Sequence, residues 1–362
     1  MDPQGTIVST GKKLIKWPSE HYAVSSPVLS KRDKLDPKIE EEAPDPLQHR
    51  VLAVYVAIYR TVAGAWYRNH IRWLEEWLPY ETYSGLPKRE CLEMTWDLQA
   101  RIQRAASNGN SMAILLLDYY KFFDMFEHKF IRDFMQCAGV DVQLVDLIYN
   151  INSNAKRRIK LGATYGEPME QTNSLGQGDP LSLLAALTYV GVLAKYIMKN
   201  FDGITMASVI DDRNITGPPD HVIRAMSAIF RYDKLAGHVN NIDKMAISAV
   251  HLEDRKWLAK MTTGAGYLHN GSDEDGTPKK AVRIFTTEKV AGETITIHIT
   301  GNKQYVTKRT RYTMESAIRN ENVATSQEQK RGETPRGDQG VCMMWLKSSH
   351  LPGFVKGLVN EA

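Results

Sequence analysis

The chain has 362 residues, with 46 Lys or Arg against 42 Asp or Glu, and a formal net charge of +4 at pH 7. This length predicts two or three domains or subdomains, and the mild basic excess excludes a protein that binds nucleic acid through overall charge alone. The three cysteines, Cys91, Cys137 and Cys342, are far apart and lack CxxC spacing, which argues against a zinc site or a disulfide framework.

The hydropathy pattern predicts no membrane partner. The longest apolar stretch, Leu183 to Ala194, is shorter than the roughly 20 residues that a helix needs to cross a bilayer. The N-terminus has no signal-peptide pattern. We therefore expect an intracellular, soluble protein, in either the nucleus or the cytoplasm.

The first predicted elements are two helices. After a polar stretch over residues 1–24, a helical pattern begins near Arg50, and its apolar residues recur every four positions. A second helix is predicted from about Glu90 to Ala106, with its own apolar face. We expect the Trp residues of both helices to be buried in a core. The residues of the two predicted faces are Val54, Ile58, Val62 and Trp66, continued by Trp73 and Trp77, and Leu92, Trp96, Ala100 and Ile102.

A strand and two helices follow in the middle of the chain. The continuous apolar run from Ser111 to Leu117 is short enough for a buried strand. A helix marked by Phe126, Phe130 and Phe134 can end at Gly139. Asp141 is placed to cap the next helix.

A basic hairpin and a long apolar helix are predicted next. The hairpin joins Lys156–Leu161 to Glu167–Gln171, and the helix covers Leu183–Lys199, with Asp179 as its N-cap. The basic cluster from Lys156 to Lys160, like Lys88 and Arg89, is a candidate for contacts to nucleic-acid phosphates, and a solvated charged face is the alternative for the cluster.

The remaining predicted elements form a strand, a helix and a less regular C-terminal part. A strand ends at Asp211 and is expected to pair with a second strand after Gly217-Pro218-Pro219, followed by a helix over Asp220–Leu235. Thr294–Thr300 alternates as a strand does, and Lys308–Arg319 is predicted to be a basic helix. Beyond Asn320 the composition is polar and Gly-rich, which is typical of a disordered tail.

Two of the predicted strands end in acidic residues. Asp118 follows the apolar run that ends at Leu117, and Asp211-Asp212 follows the run Met206–Ile210. Adjacent carboxylates repel unless a cation lies between them, and Mg²⁺ prefers oxygen ligands of this kind. Acids at two strand ends are therefore suited to two-metal phosphoryl transfer, the chemistry of polymerases.

Four short blocks in a fixed order carry a family resemblance. They are Leu117–Asp124 (LDYYKFFD), Gly176–Ser182 (GQGDPLS), Val209–Asp212 (VIDD) and Gly237–Lys244 (GHVNNIDK). Each is weak alone, but together they resemble palm motifs A, B, C and D of reverse transcriptases, particularly those of non-LTR retrotransposons. The resemblance is firm over residues 111–250 and looser over the rest of residues 25–320.

The resemblance implies a catalytic centre with two Mg²⁺ ions, for which Mn²⁺ is an alternative. Asp118 and Asp211 would hold both ions, and Asp212 would be the supporting acid. Lys244 would lie beside the leaving pyrophosphate, where a cation can neutralise charge or donate a proton. From the residues alone, strand-end acids that cap turns and a surface lysine remain the alternatives.

The resemblance also implies a set of residues that bind the incoming nucleotide. Phe123, with Phe122 beside it, would stand under the sugar, where a bulky ring leaves no room for a 2′-hydroxyl. Gln177 and Gly178 would position the nucleotide and the template base. Arg50, and Lys31 at the first lysine of the fingers, would grip the triphosphate.

Three positions depart from the family pattern. Val209 replaces an aromatic residue, Leu183 replaces a Pro after Ser182, and Val51 replaces a Pro after Arg50. None of these changes removes a metal ligand, so the chemistry remains available. They do indicate a divergent or decaying copy.

The resemblance implies an α+β fold with right-hand polymerase architecture, that is, helical fingers, an antiparallel-sheet palm and a small thumb. The expected regions are an extension (1–24), fingers (25–110), palm (111–250), thumb-like region (251–320) and tail (321–362). The implied partners are an RNA template, a DNA or RNA primer and deoxynucleoside triphosphates. Two alternatives stay open: a catalytically silent remnant that binds RNA or a protein, and an RNA-dependent RNA polymerase.

Overall fold

The structure, a computed structural model, describes Trp17 and residues 22–30, 49–264, 282–290 and 293–297. The predictions for most of residues 1–21, for Lys31, for the basic helix over 308–319 and for the tail over 321–362 lie outside the described residues. Within the described residues the fold mixes helices with antiparallel and parallel sheets, which confirms the α+β class.

Seven helices and thirteen strands make up the described part of the chain. The helices are α1 (Ala57–Trp77), α2 (Cys91–Asn108), α3 (His128–Cys137), α4 (Val142–Asn154), α5 (Pro180–Asn200), α6 (Pro219–Leu235) and α7 (Leu252–Gly264), with a 3₁₀ turn at Phe122–Met125. The strands are β1 (Ala23–Ser30), β2 (His49–Val51), β3 (Val54–Tyr55), β4 (Ala113–Leu117), β5 (Lys156–Leu161), β6 (Thr164–Tyr165), β7 (Met169–Glu170), β8 (Thr205–Val209), β9 (Asp212–Gly217), β10 (Ala246–Ala249), β11 (Arg283–Ile284), β12 (Thr287–Val290) and β13 (Glu293–Thr296).

The chain divides into two compact units, and each is described by itself. The first unit takes in Met1–Pro79, Tyr119–Leu193 and Tyr232–Val239, and the second takes in Tyr80–Asp118, Ala194–Arg231 and Asn240–Ala362, in each case as far as these residues are described.

The first unit contains a six-stranded sheet. Its strand order is β2-β1-β5-β6, with β3 also paired to β1 and β7 also paired to β5. Strands β1 and β5 run parallel, whereas β5 forms an antiparallel hairpin with β6 and β7. The predicted basic hairpin is therefore confirmed, with a short additional strand, β6, at its tip.

The second unit contains a five-stranded sheet with β4 at its centre. The strand order is β11-β10-β4-β9-β8, and β4 pairs antiparallel with both neighbours. All five residues of β4 are buried, as predicted from the continuous apolar run. A hydrophobic cluster that includes Met94, Leu98 and Ile102 of α2 packs on Ile114 and Leu116 of β4.

The buried face of α1 differs from the predicted one. Ile58, on the predicted stripe, is 65% exposed, whereas Tyr59, Ala63 and Leu74 are fully buried. The helix is rotated because the Tyr59 hydroxyl donates a hydrogen bond to the buried Asp179 carboxylate at 3.0 Å. The phase of the helix therefore depends on a tyrosine whose ring is buried and whose hydroxyl is hydrogen-bonded. The spacing of aliphatic residues in the sequence does not indicate this.

A similar correction applies to α2. Leu92, predicted on the apolar face, is 42% exposed, whereas Met94, Leu98 and Ile102 are buried. The expectation that the Trp residues of both helices belong to the core is also wrong, because all four are only partly buried. Trp73 and Trp77 instead stack on each other, with ring centroids 5.1 Å apart.

The helix α5 extends the predicted apolar helix to Pro180–Asn200. By length and composition it is the one described helix that could cross a membrane, and 72% of its most apolar window is buried inside the protein. Such burial is typical of a core helix.

Candidate active site

The three predicted catalytic acids lie at one end of the sheet of the second unit. Asp118 directly follows β4, and the antiparallel register pairs Leu117 with Arg213. One step further along this register, Asp118 comes beside Asp212, the first residue of β9. Sheet pairing therefore brings together acids that are far apart in the chain.

Asp211 lies in the tight turn between β8 and β9. The two strands pair from Val209 and Asp212 onward, so the turn contains only Ile210 and Asp211. The partner strand was predicted after Gly217-Pro218-Pro219, and this position is wrong. The partner strand is β9, which comes before the two prolines because two residues suffice to reverse the chain.

This turn holds an uncommon backbone conformation. Ile210 has φ +55°, a left-handed conformation that is sterically unfavourable for a β-branched residue. Two-residue hairpin turns normally place Gly, Asn or Asp where φ is positive. Backbone strain of this kind costs about 1–3 kcal/mol and persists only where the surroundings impose the conformation.

The surroundings that impose it are the residues Glu81–Ser84. The Ser208 N–H donates to the Glu81 carbonyl at 3.0 Å, and the Tyr83 N–H donates to the Ser208 carbonyl at 2.8 Å. The Ile210 N–H donates to the Ser84 hydroxyl at 2.9 Å. Ser84 was not predicted as a site residue, since nothing local in the sequence links it to position 210.

Asp118 is contacted by two residues of the fourth sequence block, Asn241 and Lys244. The Lys244 ammonium lies 3.0 Å from Asp118 Oδ2, with Lys244 68% exposed and the Asp118 side chain 16% exposed. Asn241 donates twice to Asp118: its side-chain amide to Oδ2 at 3.2 Å and its backbone N–H to the carbonyl at 2.9 Å. Asn241 lies within the fourth block, GHVNNIDK, yet its part in holding Asp118 was not predicted.

The local charge raises the pKa of one member of the acidic group. The pKa of Asp212 rises to about 6, first because burial penalises its ionised form and then because Asp211 and Asp118 carry like charge. Lys244 acts in the opposite direction. Asp212 is thus close enough to Asp211 and Asp118 to be repelled by both, which favours binding of a cation.

The donor set fits a hard divalent ion bound through few protein ligands. Within the residues that the structure describes, no group of three His, Cys, Asp or Glu side chains is arranged as a ready-made metal cage. Mg²⁺ is usually held by one or two carboxylates together with waters and substrate phosphates, rather than by such a cage. Asp118, Asp211 and Asp212 supply oxygen ligands of the required type.

We predict that Asp212→Asn stabilises the protein at pH 7 when EDTA removes divalent ions. The pKa of Asp212 in the folded protein lies above the ordinary Asp value. The unfolded chain releases the proton near pH 4, whereas the folded protein keeps it until about pH 6. Stability is therefore lost as the pH rises through that window. Removing the charge should recover about 1–2 kcal/mol of unfolding free energy, measured by urea denaturation.

The same measurement at pH 4 is the control, because Asp212 of the folded unaltered protein is then protonated and carries no charge for the substitution to remove. The stabilities of the two proteins should therefore converge. Equal stability at pH 7 would show that neither burial nor the neighbouring carboxylates penalise the charge of Asp212 in the folded protein.

In the first unit, the predicted Gln177-Gly178 loop is fixed by hydrogen bonds. The Ala53 N–H donates to the Gln177 carbonyl at 3.0 Å. Gly178 has φ +102°, a conformation that favours glycine. At Gly176 an added Cβ would lie 2.5 Å from the Tyr55 hydroxyl oxygen, so this position also excludes a side chain.

Asp179 supports this loop and begins α5. Its carboxylate accepts from the Leu181 N–H and from the hydroxyls of Ser182 and Tyr59, at 3.0–3.2 Å, which confirms its predicted capping role. Burial raises the pKa of Asp179 to about 6. The Gln177-Gly178 loop is thus tied to α1 through Tyr59.

The two adjacent phenylalanines have different surroundings. Phe122 is 3% exposed and packs against the rings of Tyr119, Phe126 and His238, whereas Phe123 is partly exposed. The Phe123 carbonyl accepts from the Leu175 N–H at 2.8 Å. Phe123 is thereby joined to the chain immediately before the Gly176–Gly178 loop.

The remaining predicted site residues are described in part or not at all. Arg50 lies in β2, where it pairs with Leu29 of β1, and its side chain is outside the described residues. Lys31 also lies outside them. Phe123, Gln177 and Gly178 belong to the first unit, and Asp118, Asp211, Asp212 and Lys244 belong to the second.

Comparison with known proteins gives one sequence relative. Over 92 residues the chain is 32% identical to the retrovirus-related Pol polyprotein from the type-1 retrotransposable element R2 of Nasonia vitripennis. The match covers 25% of this chain and only 9% of that polyprotein. It confirms the resemblance to the reverse transcriptases of non-LTR retrotransposons. No family model matches the chain.

Solved structures with a similar arrangement include two of the telomerase from Candida tropicalis. One, from Candida tropicalis in complex with a TWJ fragment of telomeric RNA, is 8% identical with a TM-score of 0.46, over 65% of this chain and 42% of that one. Another, the apo telomerase of Candida tropicalis truncated from its C-terminal domain, is 10% identical with a TM-score of 0.46, over 71% and 52% of the two chains. Likeness at this level bears on neither activity nor partners.

Proposed function

We propose that this chain, which resembles the reverse transcriptases of non-LTR retrotransposons, is an RNA-dependent DNA polymerase. In this proposal it adds deoxynucleotides to a DNA or RNA primer along an RNA template. The observation that carries the proposal is the meeting of Asp118 with Asp211 and Asp212 at one end of the five-stranded sheet. Carboxylates at this position suit two-metal phosphoryl transfer.

In the proposed mechanism Asp118 and Asp211 would hold two Mg²⁺ ions, or Mn²⁺ in their place, and Asp212 would support them. When bound, the ions lower the pKa of the primer 3′-hydroxyl and neutralise charge on the triphosphate. Asn241 holds the backbone and one carboxylate oxygen of Asp118, which leaves the other oxygen for coordination. Ser84 holds the turn that carries Asp211.

Two features of Lys244 support a role in pyrophosphate release, its contact with Asp118 and its exposure. Its ammonium contacts Asp118, yet most of its side chain is exposed, so it can turn toward another anion. A mobile ammonium beside a transferring phosphoryl group can neutralise developing charge or donate a proton. We assign Lys244 this role.

The proposed nucleotide site uses residues of the first unit. Phe123 excludes a 2′-hydroxyl, Gln177 and Gly178 position the nucleotide and the template base, and Arg50 and Lys31 grip the triphosphate. We give Phe122, which is buried and in ring contact with Phe123, a packing role in this proposal. In the right-hand description, residues 25–110 are the fingers, 111–250 the palm and 251–320 a thumb-like region.

A second candidate function is that of a catalytically silent remnant that binds RNA. The observation that favours it is Val209, which stands where the family has an aromatic residue, immediately before the strained Ile210. An RNA-dependent RNA polymerase is the third candidate, and the ring of Phe123 argues against it.

Primer extension discriminates among the three candidates. A homopolymer RNA template with a complementary DNA primer is incubated with the protein, Mg²⁺ and competing deoxynucleotides and ribonucleotides. We expect extension with deoxynucleotides that ceases in EDTA. Template binding without incorporation would identify a silent remnant, and a preference for ribonucleotides would identify an RNA polymerase.

A further inference from the structure

One face of the sheet in the first unit carries a row of basic side chains. Along β5, Lys156 and Arg158 are exposed and Lys160 is partly exposed, whereas Arg157 between them is buried. Because successive side chains of a strand point to opposite faces, Lys156, Arg158 and Lys160 share the outer face. Their spacing is roughly 6.6 Å, from a rise of about 3.3 Å per residue.

The strands beside this row add little opposing charge. The parallel neighbour β1 places Ala23, Ser25 and Pro27 in register with Lys156, Arg158 and Lys160. On the other side, β7 places one carboxylate, that of Glu170, opposite Lys156. Two of the three cations therefore face uncharged partners across the sheet.

An aromatic ring completes the row at the tip of the hairpin. Tyr165 pairs with Lys160 in the β5–β6 register, and its ring is 49% exposed. The Lys160 ammonium lies 5.3 Å from the ring centroid. Hydrogen bonding with Ser25 and then with Lys160 lowers the pKa of the Tyr165 phenol. The ring therefore lies beside the Lys160 ammonium on the outer face.

We propose that this face, formed by Lys156, Arg158, Lys160 and Tyr165, binds single-stranded RNA. The three cations contact successive phosphates, and an unpaired base stacks on the Tyr165 ring. A positive track with an aromatic platform is the combination by which proteins bind single strands without reading their sequence. An acidic protein segment would use the cations but would gain nothing from a stacking ring.

The choice of RNA over DNA rests on the proposed function, whereas the binding itself needs no catalysis. It is therefore tested without divalent ions or nucleotides, by fluorescence anisotropy of a labelled oligouridine of about 12 nucleotides. Tyr165→Ala should weaken binding by at least about fivefold, because base stacking on an aromatic ring contributes that much or more. Tyr165→Phe keeps the ring and should bind as the unaltered protein does.

The charge requirement is tested with a matched pair of triple variants. Replacing Lys156, Arg158 and Lys160 by Ala should make the slope of log affinity against log salt shallower by about two, since each single-strand phosphate contact contributes about 0.7. Replacing the exposed cations Arg60, Arg68 and Lys129 of α1 and α3 removes the same charge and should leave the slope nearly unchanged.

Three outcomes would overturn the proposal. They are an equal loss in both triple variants, an unchanged affinity in Tyr165→Ala, and displacement of the RNA by polyglutamate at equal charge concentration. The last outcome would identify a site for acidic protein segments. Absence of primer extension, in contrast, would contradict the proposed function and leave these binding results intact.

Discussion

Asp118→Asn is expected to reduce primer extension by about a thousandfold or more, with little change in the fold. The substitution keeps the size of the side chain and its contact with Asn241, but it removes the charge that Asp118 offers to a divalent ion. Metal ions contribute several kcal/mol to stabilisation of the transition state in phosphoryl transfer. Because each 1.36 kcal/mol changes the rate tenfold, losing about 4 kcal/mol gives this reduction.

Asp211→Asn should have a comparable effect, and Asp202→Asn supplies the matched control. Asp202 is an exposed residue just before β8, at the end of that strand opposite to Asp211. Its replacement removes the same charge from the same hairpin without touching the acids, so extension should be unchanged. Urea denaturation of all three variants establishes that they are folded.

Mn²⁺ binding provides a second measurement that does not depend on turnover. Paramagnetic relaxation or calorimetry should show that Asp118→Asn and Asp211→Asn lose Mn²⁺ affinity while Asp202→Asn retains it. Full extension by Asp118→Asn would remove this residue from the proposed mechanism. If the two variants lose Mn²⁺ binding but the unaltered protein never extends a primer, these acids form a metal site without polymerase activity.

The position of these acids could be predicted because the signal is local. Each acid follows an apolar run, and such a run becomes a buried strand whose end reaches the surface, as in β4. The helix caps at Asp141 and Asp179 were predictable for the same reason, since a cap depends on the next three residues. Local patterns thus indicated these acids and these helix caps. They did not give every boundary, since the helix predicted from near Arg50 begins at Ala57, after β2 and β3.

Helix orientation and supporting contacts depend on tertiary partners and were not predictable in this way. The phase of α1 depends on the Tyr59–Asp179 hydrogen bond, which joins residues 120 positions apart. The turn with Ile210 depends on Ser84, which is 126 positions away. No periodicity in the sequence reports such pairings, although Asp179, Ile210 and Asn241 each lay within a block that the sequence had already marked.

Phe123→Val is expected to reduce the preference for deoxynucleotides over ribonucleotides by about a hundredfold. The partly exposed ring of Phe123 is tied through its backbone to the chain before the Gln177-Gly178 loop. In the proposed site it discriminates by excluding a 2′-hydroxyl, so a smaller side chain should admit ribonucleotides. Steric pockets that reject one small group typically discriminate by about 10- to 200-fold. Extension with each nucleotide type, expressed as kcat/KM, gives the ratio.

The neighbouring Phe122 is the matched control for this experiment. Phe122→Val removes part of a buried ring from a cluster with Tyr119, Phe126 and His238, so it should destabilise the protein by about 1–3 kcal/mol. It should leave the nucleotide preference of the folded fraction unchanged. If Phe122→Val alters the preference and Phe123→Val does not, the sugar lies against a different ring from the one proposed. If both variants keep the preference, discrimination against ribonucleotides does not depend on this pair of rings. The ring of Phe123 then no longer argues against an RNA-dependent RNA polymerase.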